Sequence, residues 1–176
     1  MDFSLRDFCP ADFEAVWSID QQCFARGISY SRSELATYLR RPGAFALVAE
    51  ADESKVADQD RDRLHEARPT PILGFIVAEA GSRGSGHVIT IDVVPSARGL
   101  GIGSRLIRAA EDRLRAANCP TVILETAVNN RVALSFYRAH EYHIVKTIPR
   151  YYSDGLDALV LRKDLLSHPA PVKLPK

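Results

Sequence analysis

The sequence predicts a single mixed α/β domain, in which a central twisted sheet carries helices on both of its faces. Two observations predict this fold class. Strand-like segments predominate in the first half of the chain, and a β-loop-α-β-α-β succession follows in the second half. The 176 residues are 46% hydrophobic and 26% charged, which is typical of one globular domain. We place this domain at residues 1–166, with a charged surface insertion at 52–70 and a flexible tail at 167–176.

The first half of the chain contains three predicted strands and two predicted helices. The strands, which are short apolar runs bounded by polar or turn residues, are 3–7, 45–49 and 72–78. Apolar residues at helical spacing predict a helix over 12–24. Ser31 and Glu34 form a capping-box pattern, in which the hydroxyl and the carboxylate each satisfy an exposed amide. This pattern predicts a second helix, which Pro42-Gly43 ends.

The second half alternates strands and helices. Its predicted strands are 87–94, 121–128 and 158–161. The first of them leads through a glycine-rich turn into an amphipathic helix, whose apolar face runs from Leu106 to Leu114. Asn130 is a favourable N-cap for a helix over 132–139, because its side chain can accept a hydrogen bond from a first-turn amide.

Charge and cysteine content narrow the class of protein. With 23 basic and 22 acidic residues the formal net charge is +1, which argues against a nucleic-acid partner, because such proteins usually carry a basic excess. No apolar run approaches the roughly 18 residues of a membrane span, and the first residues lack a signal-peptide pattern. Three cysteines without a CxxC pair fit a reducing compartment. We therefore expect a cytoplasmic protein, monomeric or homodimeric, that holds no metal.

The glycine-rich turn Arg98-Gly99-Leu100-Gly101-Ile102-Gly103 lies between a predicted strand and a predicted helix. Glycines allow a tight turn whose N–H groups point at one anion, and the helix adds the positive end of its dipole. Ser104 and Arg105 could add a hydroxyl and a charge, so a diphosphate is the natural ligand. A glycine turn without any ligand is the alternative. The pattern fits neither a Walker loop, which needs Gly-Lys-Ser/Thr, nor a dinucleotide-binding fingerprint.

Three motifs resemble those of the GNAT superfamily of N-acetyltransferases. They are Arg98-x-x-Gly101-x-Gly103, Asn130-x-x-Ala133-x-x-x-Tyr137 and Tyr151-Tyr152-x-Asp154-Gly155-x-Asp157-Ala158. The third is similar to a segment of the N-terminal acetyltransferases, a branch that includes the enzyme acetylating the N-terminal alanine of a bacterial ribosomal protein. The resemblance implies the GNAT acyltransferase fold, acetyl-CoA as cosubstrate and acetyl transfer to a primary amine, with a protein or peptide N-terminus favoured.

The resemblance also implies which residues contact acetyl-CoA. The turn would hold the pyrophosphate through Arg98, Gly99, Gly101, Ile102, Gly103 and Ser104. In the preceding strand the backbone of Ile91 would pair with the pantetheine arm, and the N–H of Val93 would meet the thioester carbonyl. Asn130 would contact the same arm, although its N-cap role alone would explain it.

Direct attack of an amine on a thioester needs a base for the ammonium proton and an acid for the departing sulfur, and it needs no cysteine nucleophile. Tyr137 is the candidate acid, because it matches the family tyrosine beside the coenzyme sulfur. Its alternative role is core packing. Glu125 interrupts an apolar strand and is the first candidate base, whereas a buried ion pair is its alternative role. His87 is the second candidate base, because its ordinary pKa lies near neutrality; a structural role is its alternative.

The acceptor side of the site is less defined. Tyr151 and Tyr152, together with Glu125, would line a peptide groove, although tyrosines also suit a plain β-hairpin. Glu141 stands where the family usually has a glycine, so either a left-handed residue costs about 1 kcal/mol or the turn has changed. Leu156 replaces an acid that is common in the N-terminal branch. A lysine side chain or small-molecule amine as acceptor, and a non-catalytic acyl-CoA sensor, remain alternative functions.

Overall fold

Seven strands form one sheet in the computed structural model, which describes residues 2–24, 28–52, 71–81 and 84–166. The strands are β1 (Phe3–Asp7), β2 (Ala44–Ala51), β3 (Ile72–Ala80), β4 (Ser85–Val93), β5 (Thr121–Ala127), β6 (His143–Ile148) and β7 (Ala158–Asp164). The helices are α1 (Phe13–Cys23), α2 (Arg32–Leu39), α3 (Ile102–Ala116) and α4 (Arg131–Ala139). Most of the predicted insertion and all of the predicted tail lie outside the described residues. None of the helices within the described ranges is long and apolar enough to cross a membrane.

The sheet is mixed, as predicted. Its strand order is β1-β2-β3-β4-β5-β7-β6, and every neighbouring pair is antiparallel except β4 and β5. Successive residues of a strand point to opposite faces, so the central strands feed two cores. Leu47 and Ile76 pack with α3 and α4 on one face, while Val48 and Phe75 pack with α1 and α2 on the other. The prediction of helices on both faces is confirmed.

The helix ends follow the predicted capping chemistry. At α2 the N–H of Ser31 donates to Glu34 Oε2 at 2.8 Å, and the N–H of Glu34 donates to Ser31 Oγ at 3.3 Å. The helix ends at Leu39, earlier than predicted. At α4 the N–H of Ala133 donates to Asn130 Oδ1 at 3.1 Å, which confirms Asn130 as the N-cap.

Helix α4 ends in the left-handed turn that the family closes with glycine. Glu141 adopts φ 67°, the N–H of Tyr142 donates to the carbonyl of Tyr137, and the N–H of Glu141 donates to that of Arg138. These two bonds define a Schellman motif with Glu141 at its left-handed position. The turn is therefore retained with a non-glycine residue, at a cost of about 1 kcal/mol.

The parallel pair β4 and β5 stays together for only a short distance. Residues 85–87 of β4 pair with 121–123 of β5, and the rest of the two strands is unpaired with each other. Strand β4 also has a bulge at Ile89, where its register on β3 shifts. We call the space between residues 88–93 and 124–127 the β4–β5 cleft. The β4 wall of the cleft leads into the glycine-rich turn, so this turn follows the end of the strand that lines the opening in the sheet.

Candidate acyl-transfer site

The β4 wall of the cleft presents backbone groups that the neighbouring strand β3 does not bind. Val94 donates its N–H to the carbonyl of Leu73 on the β3 side at 2.9 Å. Residues alternate in direction along an antiparallel pair, so Ile91 and Val93 direct their N–H and carbonyl groups away from β3 and into the cleft. This is the arrangement that pairing with an amide-containing arm and a thioester carbonyl requires. The backbone groups of Ile91 and Val93 thus point in the direction that their predicted roles need, and the roles themselves stay predictions.

The glycine-rich turn offers an uninterrupted set of backbone donors. Gly99 and Gly101 adopt φ 80° and 81°, and a Cβ built on either one would meet no atom within 4 Å, so the turn is open on its outer side. Gly101 is the N-cap of the 15-residue α3. Within the described residues no acceptor takes the backbone N–H groups of 99–104, and first-turn amides have no partner inside a helix. These donors and the helix dipole suit a pyrophosphate.

The side chains of the turn are used elsewhere. The Nε of Arg98 donates to the carbonyl of Val93 at 3.1 Å, so this guanidinium closes the end of β4. The hydroxyl of Ser104 lies 2.9 Å from His140 Nε2. Arg105 reaches a β1 carbonyl at 3.1 Å, away from the turn, so the expectation that it adds a charge there is wrong. The turn thus presents backbone amides, while the contacts of Arg98, Gly99, Gly101, Ile102, Gly103 and Ser104 with acetyl-CoA stay predictions.

The two candidate bases are in direct contact. His87 Nε2 lies 2.6 Å from Glu125 Oε2, because His87 pairs with Ile123 across β4 and β5 and Glu125 follows on the same face of β5. A nitrogen and a carboxylate oxygen this close share a proton. Their side chains are 27% and 18% exposed, so the pair remains open to an incoming group.

The environment of His87 favours the protonated ring. Burial alone lowers its pKa, but the hydrogen bond and charge of Glu125 and the charge of Glu79 outweigh burial and raise it above the ordinary value. Glu79 stands opposite His87 on β3, and its Oε1 lies 3.7 Å from His87 Nδ1 and 3.5 Å from a guanidinium nitrogen of Arg41. Sequence analysis missed Glu79 and Arg41, because their relation to His87 depends on the register between β3 and β4.

Tyr137 lies in the core beside the cleft, and its hydroxyl has no hydrogen-bond partner among the described residues. The residue is 7% exposed, and its ring packs on those of Phe136 and Tyr142, with centroids 5.3 and 5.7 Å away. Its hydroxyl makes no hydrogen bond to any residue that the structure describes. Burial raises the pKa of Tyr137, and the charges of Asp92 and Tyr152 add to the effect. The phenol is therefore protonated at neutral pH and free to donate.

Two pairs of tyrosines lie near the cleft. Tyr151 and Tyr152 lie in the loop between β6 and β7 with their rings 5.1 Å apart. Burial raises the pKa of both, and the charge of Glu125 contributes, which places them near that carboxylate. The other pair, Tyr30 and Tyr38, has ring centroids 5.1 Å apart. Sequence analysis did not single out this second pair.

Tyr30 is fixed from two directions. Its hydroxyl donates to the carbonyl of Ile89, at the β4 bulge, at 3.3 Å. Its backbone N–H donates to Asp20 Oδ2 at 2.8 Å. Asp20 is fully buried in α1, and burial raises its pKa to about 6. Tyr30, just before α2, is thereby attached to the edge of the cleft.

The three cysteines differ in burial and in contacts. Cys9 is exposed, Cys119 is buried in the core, and the Cys23 thiol donates to the carbonyl of Val93 at 3.4 Å. Burial raises the pKa of both Cys23 and Cys119, which makes them poor nucleophiles. In the described part of the chain no cluster of His, Cys, Asp and Glu side chains could hold a metal ion.

Comparison with known proteins identifies the family. The model of the acetyltransferase (GNAT) family matches residues 13–142. A Methanocaldococcus jannaschii protein described as an uncharacterized N-acetyltransferase is 31% identical over 160 residues, 90% of each chain. An N-alpha-acetyltransferase of Caenorhabditis elegans is 33% identical over 100 residues, which span 53% of this chain and only 55% of that protein.

A solved structure matches the fold. The crystal structure of Ard1 from Thermoplasma volcanium has a TM-score of 0.77 at 24% identity, and the match covers 94% of this chain and 99% of that one. At this identity the likeness concerns the fold, and the family match and the archaeal relative carry the assignment. The chain belongs to the acetyltransferase (GNAT) family and is an acetyl-CoA-dependent acetyltransferase.

Proposed function

We propose that this acetyltransferase acetylates the α-amino group of a protein or peptide N-terminus. The observation that carries the proposal is the 2.6 Å contact between His87 and Glu125, which we take as the proton acceptor, with Tyr151 and Tyr152 close enough for the charge of Glu125 to raise their pKa values. The phenols supply polar groups that could bond to a peptide backbone next to its terminal amine. The similarity to an N-alpha-acetyltransferase from Caenorhabditis elegans supports the same acceptor class.

On the donor side, acetyl-CoA supplies an activated thioester. The amides of residues 99–104 would hold its pyrophosphate, and the backbone of Ile91 would align the pantetheine arm along β4. The N–H of Val93 faces the cleft and would stabilise the negative charge that develops on the carbonyl oxygen. These contacts orient the acyl group without any covalent bond to the protein.

On the acceptor side, the amine arrives as an ammonium and must lose a proton before it can attack. His87 and Glu125 act as one acceptor when the imidazole is neutral, because the two side chains are in hydrogen-bonding contact and both are partly accessible. The N–C bond forms as the C–S bond breaks. Tyr137 gives its proton to the sulfur and is reprotonated by the second proton that the amine nitrogen loses.

A paired-peptide assay tests the choice of acceptor. One peptide has a free N-terminus and no lysine, and its partner has a blocked N-terminus and one internal lysine. With acetyl-CoA we expect the protein to acetylate the free N-terminus, with a kcat/KM at least about tenfold above that for the blocked peptide. Mass spectrometry locates the acetyl group, and reactions without enzyme correct for spontaneous transfer.

The other outcomes of this assay have definite meanings. Acetylation confined to lysine would replace the proposed acceptor with a side-chain amine. The protein could also bind acetyl-CoA and release no coenzyme thiol with any peptide or small amine. That result would indicate a non-catalytic acyl-CoA sensor.

A further inference from the structure

The His87–Glu125 pair is one half of a longer array that crosses three adjacent strands. His87 on β4 contacts Glu125 of β5 through Nε2 at 2.6 Å and faces Glu79 of β3 through Nδ1 at 3.7 Å. Glu79 and His87 are register partners across β3 and β4. One imidazole therefore lies between two carboxylates, each of which has a side chain only 18% exposed.

The two contacts of His87 differ in kind. The contact with Glu125 is within hydrogen-bonding distance and needs a shared proton, whereas the contact with Glu79 is longer than a hydrogen bond and acts through charge. A carboxylate facing Nδ1 favours the ring state in which Nδ1 carries a proton. In that state Nε2 is the atom that exchanges a proton with Glu125.

Given the proposed use of His87 and Glu125 as the base, we propose that Glu79 is a positioning residue that holds the Nδ1 proton of His87 toward β3 and leaves Nε2 to exchange protons at the cleft. Glu79 is not expected to contact either substrate. Its charge also lets His87 keep a proton to a higher pH.

Arg41 opposes this effect of Glu79. Its guanidinium approaches the same oxygen, Glu79 Oε1, at 3.5 Å and stacks on the Tyr38 ring at 4.2 Å. Part of the charge of the Glu79 carboxylate is thereby neutralised. Among the described residues, the charged groups that face His87 are Glu79 on β3 and Glu125 on β5. Behind them lie Arg41 and Tyr38 on the α2 side of Glu79, and Tyr151 and Tyr152 of the β6–β7 loop near Glu125.

Glu79 and Arg41 should shift the titration of His87 in opposite directions. We expect Glu79→Gln to lower the midpoint of the His87 ring titration by about half a pH unit or more, because an attracting anion is lost. We expect Arg41→Met to raise that midpoint, because Glu79 loses its competing cation. Both are measured by NMR on ring-labelled histidine in the protein without substrates, and a His87→Gln sample assigns the signal.

A second carboxylate provides the matched control. Glu50 on β2 is also partly buried and pairs with an arginine, Arg6, at 3.0 Å, but it lies outside the cleft. Glu50→Gln should leave both the His87 midpoint and the pH profile unchanged. In active protein the acid limb of kcat/KM should move with the His87 midpoint in the two cleft variants, and Glu79→Asp should restore part of the shift.

The titration separates this inference from the proposed function. If neither Glu79→Gln nor Arg41→Met moves the His87 midpoint, or if both move it in the same direction, the role of Glu79 is contradicted, whatever the acceptor is. If the midpoints move as expected while the protein acetylates only lysine, the acceptor assignment fails and the positioning role stands.

Discussion

Tyr137→Phe should lower kcat by about 10²- to 10³-fold and leave the KM for acetyl-CoA nearly unchanged. The phenol is protonated at neutral pH, the residue is 7% exposed, and the hydroxyl makes no hydrogen bond to a described residue. The hydroxyl is therefore available to donate its proton to the departing sulfur. Phenylalanine keeps the ring packing on Phe136 and Tyr142. Steady-state kinetics with a peptide acceptor measure turnover, and a thermal melt of the same sample measures stability.

Tyr142→Phe is the matched control for Tyr137→Phe. Tyr142 is also a buried tyrosine in the same aromatic cluster, but its hydroxyl donates to Glu111 Oε1 at 3.1 Å, away from the cleft. We expect this variant to lose stability, by about 1 kcal/mol for one net hydrogen bond, and to keep turnover near that of the wild type. If Tyr137→Phe turns over at the wild-type rate, Tyr137 serves packing and the acid lies elsewhere.

Replacing either His87 or Glu125 should also lower kcat/KM strongly. We expect Glu125→Gln and His87→Gln each to lower kcat/KM by about 10²-fold or more, and the double variant to be no worse than the more severe single one. This non-additivity follows from the single shared proton at 2.6 Å. Additive losses in the double-mutant cycle would mean that the two residues act independently.

The environment of His87 also predicts the direction in which the pH profile of activity moves when Glu125 is replaced. His87 must be neutral to accept a proton, so activity rises as the pH increases through its pKa, which Glu125 and Glu79 raise above the ordinary value. In Glu125→Gln the hydrogen bond to a charged partner is lost, and burial, which lowers the pKa, dominates. The acid limb of the residual kcat/KM should therefore move to lower pH. An acid limb that stays in place in this variant would remove His87 from the proton transfer.

The fold was predictable where side-chain patterns are strong. Strand β3 is a continuous apolar run that is buried on both faces, β4 is rich in β-branched residues, and α3 has clear helical periodicity. The Ser31 and Asn130 caps show in the sequence because capping needs particular side chains. Strand β6 was missed because it is an edge strand exposed from His143 to Thr147, so its two faces do not differ in polarity. The end of α2 was placed too late, because Pro42 limits a helix without requiring it to extend that far.

The individual residues of the site were predictable from the sequence, whereas the contacts between residues far apart in the chain were not. The glycine turn, Tyr137, His87 and Glu125 stand in or near recognisable motifs, but their mutual contacts depend on strand register. The sequence left His87 and Glu125 as alternative bases, whereas the parallel pairing of β4 and β5 puts them in contact. Glu79 carries no local signal, and only its pairing with His87 across the β3–β4 hairpin gives it a role.

Our central claim is that the donor and the acceptor amine meet in one cleft between β4 and β5. The most direct measurement is the affinity, by titration calorimetry, of a conjugate in which a peptide N-terminus is joined through an acetyl group to CoA. We predict that the conjugate binds at least about tenfold more tightly than CoA, because its two halves are linked. Gly101→Glu should weaken CoA and conjugate alike, because a carboxylate then faces the pyrophosphate. A conjugate that binds no more tightly than CoA would contradict a shared cleft.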